Sequence, residues 1–268
     1  MTAAKQNQPA IEVRHLCAGY GRKTILHDIS FTVPQGQIVT VLGGSGCGKS
    51  TLLKHLIGLY QPKSGDILIQ GRSIVNATDE ERRSIMKTFG VAYQGGALFR
   101  SMTLAENIAL PMQEYTRFSP EEIMRRVEEK LALVNLRGCG RMMPSDLSGG
   151  MIKRAAFARA LALDPAILFF DEPSAGLDPL SSASLDRLIL DIRERTGATI
   201  LVVTHELDSI FTIADRAVML SAQTRRIIAD GKPAELRDHS DDPFVRTFLN
   251  RGVDTRASIQ GADHAGSQ

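Results

Sequence analysis

The sequence predicts an α/β fold built on a largely parallel sheet with helices on both faces. Three short runs, residues 38–42, 167–170 and 199–203, are almost entirely apolar. A strand covered on both faces reads as such an unbroken run, whereas a strand with one wet face alternates. Helical periodicity fills the intervals between them, as crossover connections of a parallel sheet require. The chain has 268 residues, 43% hydrophobic and 23% charged, which is ordinary globular usage and excludes disordered and collagen-like classes.

Residues 11–16 and 29–33 read as strands, with Ile29, Phe31 and Val33 alternating onto one face before Pro34-Gln35-Gly36 closes a turn. The run 38–42 passes through a glycine-rich loop into a helix with apolar positions Leu52, Leu53, Leu56 and Ile57, stopped at Gly58. Residues 67–70, bracketed by Gly65 and Gly71, and residues 91–93 read as further strands. The charged run 79–83 reads as a solvated helical face.

From about Gln94 to Pro165 the pattern is helical. Ser119-Pro120-Glu121-Glu122 reads as a capping box with proline at the first helical position, backed by Ile123, Val127, Leu131 and Val134. Strands return at 167–170 and 199–203, separated by a helix that turns Leu185, Leu188, Ile189 and Ile192 inward and stops at Gly197.

Charge and cysteine usage narrow the function. The net charge is +2, too small a cationic field to hold a nucleic-acid backbone, so no nucleic-acid partner is expected. The longest apolar candidate, residues 155–170, is broken by Arg159 and by Asp164-Pro165, short of the roughly 20 residues of a membrane helix. The opening MTAAKQNQPA lacks the apolar stretch of a secretory signal, so a cytoplasmic location is expected. Cys17, Cys47 and Cys139 are too far apart for a disulfide framework or zinc site.

The chemistry concentrates in three places. Gly43-Gly44-Ser45-Gly46-Cys47-Gly48-Lys49-Ser50 matches G-x-x-x-x-G-K-[ST], after a buried strand and at the start of a helix. Its glycines let backbone N–H groups converge on phosphate oxygens, the helix start adds a positive dipole end, Lys49 neutralises the β and γ phosphates, and Ser50 can ligate magnesium. Asp171 and Glu172 stand at the end of the run 167–170, the sheet edge where ligands bind. Asp171 suits a hold on magnesium, and Glu172 is then placed to orient or deprotonate an attacking water. Ser148-Gly149-Gly150 opens a helix; it is either a plain N-cap or a second phosphate clamp made of backbone donors.

In this order the motifs resemble the ATP-binding cassette (ABC) ATPase family across about residues 11–235. The resemblance implies a P-loop NTPase (RecA-like) core with an N-terminal antiparallel β subdomain and an inserted helical subdomain. It divides the chain into a first core part with the phosphate loop (11–93), a helical subdomain with the signature (94–165), a second core part (166–235), an interaction tail (236–252) and a segment expected to be disordered (253–268). It assigns ATP to Tyr20, stacking on adenine, to residues Gly43 to Thr51, and to Ser148, Gly149 and Gly150. Magnesium falls to Ser50, Gln94 and Asp171, and hydrolysis to Glu172, Gln94 and the γ-phosphate-contacting His205. Residues 174–178 resemble the loop that communicates across a head-to-tail homodimer, each nucleotide lying between one chain's phosphate loop and the other's Ser148 to Gly150.

Met151 replaces the glutamine usual after the two signature glycines, which removes a side-chain amide near the ribose. Together with residues 94–99 and the tail 242–249, it resembles one branch, the ATPase subunits of bacterial Mla-type phospholipid transporters. That branch implies a place on the cytoplasmic face of the inner membrane, with a transmembrane permease, a periplasmic MCE lipid-binding protein and a small STAS-type regulatory subunit. An ABC importer of another small solute shares the same engine, and a soluble non-transport ABC ATPase is the more distant alternative. Phe244, Val245, Phe248 and Leu249 form an apolar stripe expected to grip a second subunit or to pack on its own domain. Cys47, inside the phosphate loop, is expected to be alkylated unless ATP protects it.

Overall fold

The computed structural model describes residues 8–251, so the tail beyond that point, including 253–268, lies outside the described residues. The chain enters through β1 (Ile11–Tyr20) and β2 (Lys23–Val33), then β3 (Ile38–Leu42) and α1 (Lys49–Leu56). There follow β4 (Ser64–Ile69), β5 (Arg72–Ser73), α2 (Asp79–Met86) and β6 (Phe89–Ala92). A helical stretch comprises α3 (Leu104–Tyr115), α4 (Pro120–Leu133) and α5 (Gly149–Ala160). The chain returns to the sheet with β7 (Ile167–Asp171), α6 (Pro179–Thr196), β8 (Thr199–Val203), α7 (Leu207–Ile213), β9 (Arg216–Leu220) and β10 (Ile227–Gly231). It closes with α8 (Pro233–His239) and α9 (Pro243–Leu249).

Strands β2, β1, β4 and β5 form an antiparallel sheet, and β10, β9, β3, β8, β7 and β6 form a second sheet in that order. In the second sheet the β3–β8, β3–β9, β7–β8 and β6–β7 ladders are parallel, and only β10 runs antiparallel to its neighbour. The unbroken apolar runs are explained by two cores. Ile167 and Phe169 of β7, with Leu201 and Val203 of β8, join the antiparallel sheet and α1. Leu168 and Phe170, with Ile200 and Val202, face the helices α3 to α6. Successive side chains of a strand point to opposite faces, so each of these strands needs apolar residues at every position.

Several elements differ from what the sequence suggests. β1 and β2 run longer than expected because β1 survives irregularities, with register shifts after Val13 and Leu16 and a left-handed His15 at φ 47°. The hairpin β9–β10 carries no glycine or proline in its turn. Ser221 Oγ accepts from the Gln223 and Thr224 amides at 3.1 and 3.2 Å, and Arg225 takes a left-handed φ of 60°. The expected capping box at Ser119 is half made. The hydroxyl accepts from the Glu122 amide at 3.3 Å, but the Glu122 carboxylate turns to Arg125 and Arg126 at 2.8 and 2.7 Å. Complete boxes occur instead at Thr78 with Glu81 and Thr103 with Glu106.

The apolar stripe of α9 divides. Val245 and Leu249 are buried with Leu42, Ile210 and Met219, whereas Phe244 is 49% exposed. At least half of the stripe therefore packs on its own domain.

Candidate nucleotide site

The parallel sheet places the candidate residues in a row. β6, β7, β8 and β3 are consecutive neighbours, and Gln94, Asp171 with Glu172, His205 and the glycine-rich loop follow their carboxyl ends. A cleft of about 760 Å³ at this edge is lined by Gly43 to Thr51, Gln94, Glu172 and His205. The loop's glycines are required by close approach. A Cβ on Gly43 would lie 2.4 Å from the Leu220 carbonyl oxygen, and one on Gly48, at φ 110°, would lie 2.6 Å from Leu26 Cδ2. Lys49 folds back to donate to the Gly43 carbonyl at 2.8 Å. Ser50 is exposed at the start of α1 and Thr51 is buried beneath it.

Glu172 is only 13% exposed at its side chain, and both carboxylate oxygens lie 2.9 Å from His205 Nδ1. Its backbone is left-handed at φ 46°, a sparsely populated conformation for a non-glycine residue, costing about 1–3 kcal/mol. Asp171 Oδ1 is buried without a protein partner. Burial pushes the Asp171 carboxyl above its ordinary range, the Glu172 charge adds to this, and Lys54, Lys153 and Lys49 oppose it. A buried carboxylate oxygen with no donor at the end of β7, together with the Ser50 hydroxyl and Gln94 amide that line the cleft, makes a donor set suited to a hard cation that prefers oxygen ligands and keeps waters, as Mg²⁺ does. Among the described residues no cluster of three His, Cys, Asp or Glu side chains suits a metal, and this donor set does not need one.

Not every expected residue reaches the cleft. Tyr20 packs edge-on against Tyr60, ring centroids 4.9 Å apart, and beside His55 at 6.2 Å, while Lys23, Thr24 and Ile25 line the cleft wall. Ser148 caps α5, its hydroxyl accepting from the Met151 amide at 3.3 Å, and neither it nor Gly149 and Gly150 lines the cleft. Both Ser148 and Gly149 are exposed, which leaves this helix start open to another chain. Met151 packs against the core that lies under the helical stretch. Asp178 caps α6, accepting from the Leu180 and Ser181 amides at 3.0 Å each.

Basic residues that the motifs do not announce hold the loops around the site. Arg225 Nη1 donates to the Gly46 carbonyl at 2.5 Å. Arg159 of α5 donates to the Ala97 and Gly96 carbonyls at 2.7 and 3.0 Å. Lys153 of α5 donates to the carbonyls of Gln94 and Glu172. Burial holds the Lys153 ammonium below its usual range, against the pull of Asp171 and Glu172. The only sequence signal for the two α5 residues is a basic side chain at i and i+6 within an otherwise alanine-rich helix.

A glycine-rich loop between a central parallel strand and a helix, with carboxylates at the end of the next strand but one, defines a P-loop nucleotide-binding cassette. The family model described as ABC transporter matches residues 26–175, and the chain belongs to that family, as an ATP-binding cassette. It is 45% identical over 241 residues, 90% of this chain and 66% of the relative, to the probable ribonucleotide transport ATP-binding protein mkl of Mycobacterium tuberculosis. The chain thus spans about two thirds of the length of these mycobacterial relatives. It is 39% identical to the intermembrane phospholipid transport system ATP-binding protein MlaF of Haemophilus influenzae, covering 91% of each chain. Among solved structures, the dimeric bacterial cassette MJ0796 aligns with a TM-score of 0.75 at 28% identity, over 83% of this chain and 98% of that one. CbiO1 of Clostridium perfringens aligns with a TM-score of 0.79 at 26% identity, over 97% and 100%. No helix among the described residues is long and apolar enough to cross a membrane.

Proposed function

We propose that the chain hydrolyses ATP to drive a phospholipid ABC transporter of the bacterial envelope. The row of strand ends carries the enzymatic half of this reading, because it brings Gln94, Glu172, His205 and the phosphate loop to one cleft, with Asp171 at the end of β7 beside Glu172. In it, Gly43 to Thr51 bind the phosphates and Lys49 leaves its loop carbonyls for the β and γ phosphates. Tyr20 stacks on adenine after turning from Tyr60. Ser50, Gln94 and Asp171 hold Mg²⁺, which, when bound, neutralises charge on the transferring phosphoryl group. Glu172 takes the proton of the attacking water, and His205 moves from Glu172 to the γ-phosphate. The post-hydrolysis MJ0796 cassette, a dimer bound to ADP and phosphate, supports both hydrolysis and a dimer, which in our reading is head-to-tail. In that dimer Ser148, Gly149 and Gly150 close on the partner's nucleotide.

The lipid half rests on the match to MlaF, which spans nine tenths of both chains, whereas the ribonucleotide transport protein extends well beyond this chain. The assembly is a homodimer bound to a transmembrane permease on the cytoplasmic face of the inner membrane, together with a periplasmic MCE lipid-binding protein and a STAS-type subunit. Co-purification of the full chain from native membranes, with identification of bound subunits and extracted lipid, tests this. A permease with an MCE protein and phospholipid is expected. Recovery of a permease that carries nucleotides in place of lipid would overturn the lipid assignment.

A further inference from the structure

Lys153 lies one turn into α5 and is buried, 7% exposed. Its ammonium serves two main-chain carbonyls at once, that of Gln94 and, at 3.3 Å, that of Glu172. A three-donor head on a flexible stem can do this, whereas a neutral side chain of one donor cannot. The two carbonyls belong to the segments that leave the neighbouring strands β6 and β7.

The Glu172 peptide is consequently pinned from both sides. Its N–H donates to Val203 of β8 at 2.8 Å, and its C=O accepts from α5. A left-handed glutamate persists only where its surroundings hold it; here its carbonyl also takes the Ala175 N–H at 3.2 Å, and Lys153 adds the bond that reaches α5. The Gln94 segment is held by the same helix. Arg159 takes the Gly96 and Ala97 carbonyls, and a Cβ on Gly96 would lie 2.6 Å from Ile152 Cγ2.

We propose that Lys153 is a positioning residue for hydrolysis, fixing Gln94 and Glu172 side by side and tying both to the helix whose first residues carry the second phosphate clamp. The inference rests on the reading of Glu172 as general base. Closure of Ser148 to Gly150 on a partner's nucleotide would then reach the chain's own hydrolytic residues through one rigid helix.

The test uses the full purified chain, with steady-state hydrolysis, ATP binding, thermal melting and amide hydrogen exchange measured on Lys153→Met, Lys153→Arg and Glu172→Gln. Lys153→Met is expected to lower kcat by roughly 10- to 100-fold while KM for ATP stays within about threefold, the signature of an interaction needed only in the transition state. Amide exchange should quicken in residues 94–97 and 172–176. Lys153→Arg, whose guanidinium can likewise donate to two carbonyls at once, should restore kcat to within about fivefold. If Lys153→Met melts too low to assay at the working temperature, both it and the wild type are assayed together below its melting point, with the same expected split. Wild-type kcat in Lys153→Met beside an inactive Glu172→Gln overturns the positioning role and leaves the general base standing. A parallel loss of binding and stability that Lys153→Arg does not rescue overturns it as well, showing a merely structural lysine. An active Glu172→Gln overturns the general-base reading and this inference with it.

Discussion

His205 Nδ1 sits 2.9 Å from each of the two carboxylate oxygens of Glu172, so one imidazole nitrogen bridges both oxygens of the acid. The histidine is 56% exposed at its side chain and the glutamate 13%, which makes the ring the movable partner. Glu172→Gln should reduce hydrolysis by roughly 10²- to 10⁴-fold with ATP binding intact, since it keeps the shape and removes the basicity. Lys49→Ala should instead lose ATP binding, because the phosphate charge is left uncompensated. Turnover of Glu172→Gln within about threefold of wild type would remove glutamate from the reaction.

Cys47 occupies the phosphate loop, yet its side chain is fully buried and its Sγ would lie 2.8 Å from a Cβ on Gly43. The residue borders the cleft but its thiol is buried, so alkylation there is expected to be slow. In the native chain Cys17 and Cys139, both half-buried, should react first with a bulky maleimide. Cys47 should react slowly and more slowly still with saturating ATP. Mass mapping that finds Cys47 labelled first would refute this packing.

Asp186 of α6 is buried and accepts from Ser209 Oγ of α7 at 2.9 Å. Burial raises its carboxyl above the ordinary range, the Ser209 bond opposes this, and the charges of Asp208 and Glu206 add to it. A raised folded pKa means the folded state binds the proton more tightly than the unfolded one. The stabilisation is then full below the ordinary carboxylate pKa and is lost as pH climbs through the raised value. Asp186→Asn should gain melting temperature relative to wild type as pH rises above the ordinary carboxylate range, about pH 4. A difference that does not vary with pH would place the charge in water.

Leu249 is 2% exposed in the cluster that joins α9 to β9 and α7. Leu249→Ala should cost about 2–5 kcal/mol by denaturant unfolding, the price of an unfilled core position. Phe244→Ala, at an exposed site, should cost far less in the isolated chain while weakening any contact with a second subunit. Equal costs for the two would show that α9 has no buried face.

The central sheet was legible because its strands are apolar at every position, and the phosphate loop because glycine spacing, lysine and serine leave few other readings. Asp171 and Glu172 were legible from their place at a strand end. Arg225, Lys153 and Arg159 were not, since each works by donating to main-chain carbonyls, and a carbonyl acceptor imposes no residue type on its own position. β9 and β10 escaped because a serine hydroxyl and a left-handed arginine turn the chain where glycine or proline would have marked it. The α9 stripe was legible as apolar, but spacing alone cannot say that Val245 and Leu249 turn inward while Phe244 does not.

The phosphate loop is completed by chain that arrives late. Gly46 receives the Arg225 guanidinium from 179 positions downstream, and Gly43 lies so close to the Leu220 carbonyl that no side chain fits between them. A polypeptide ending at residue 215 would contain every residue of the phosphate loop, Gln94, the paired acids and His205, yet lack this wall. Possession of the motifs and possession of the binding site are thus separate events in the life of the molecule. On the ribosome, the strand and turn that finish this wall are made only after His205, with Leu220 15 and Arg225 20 residues further along the chain.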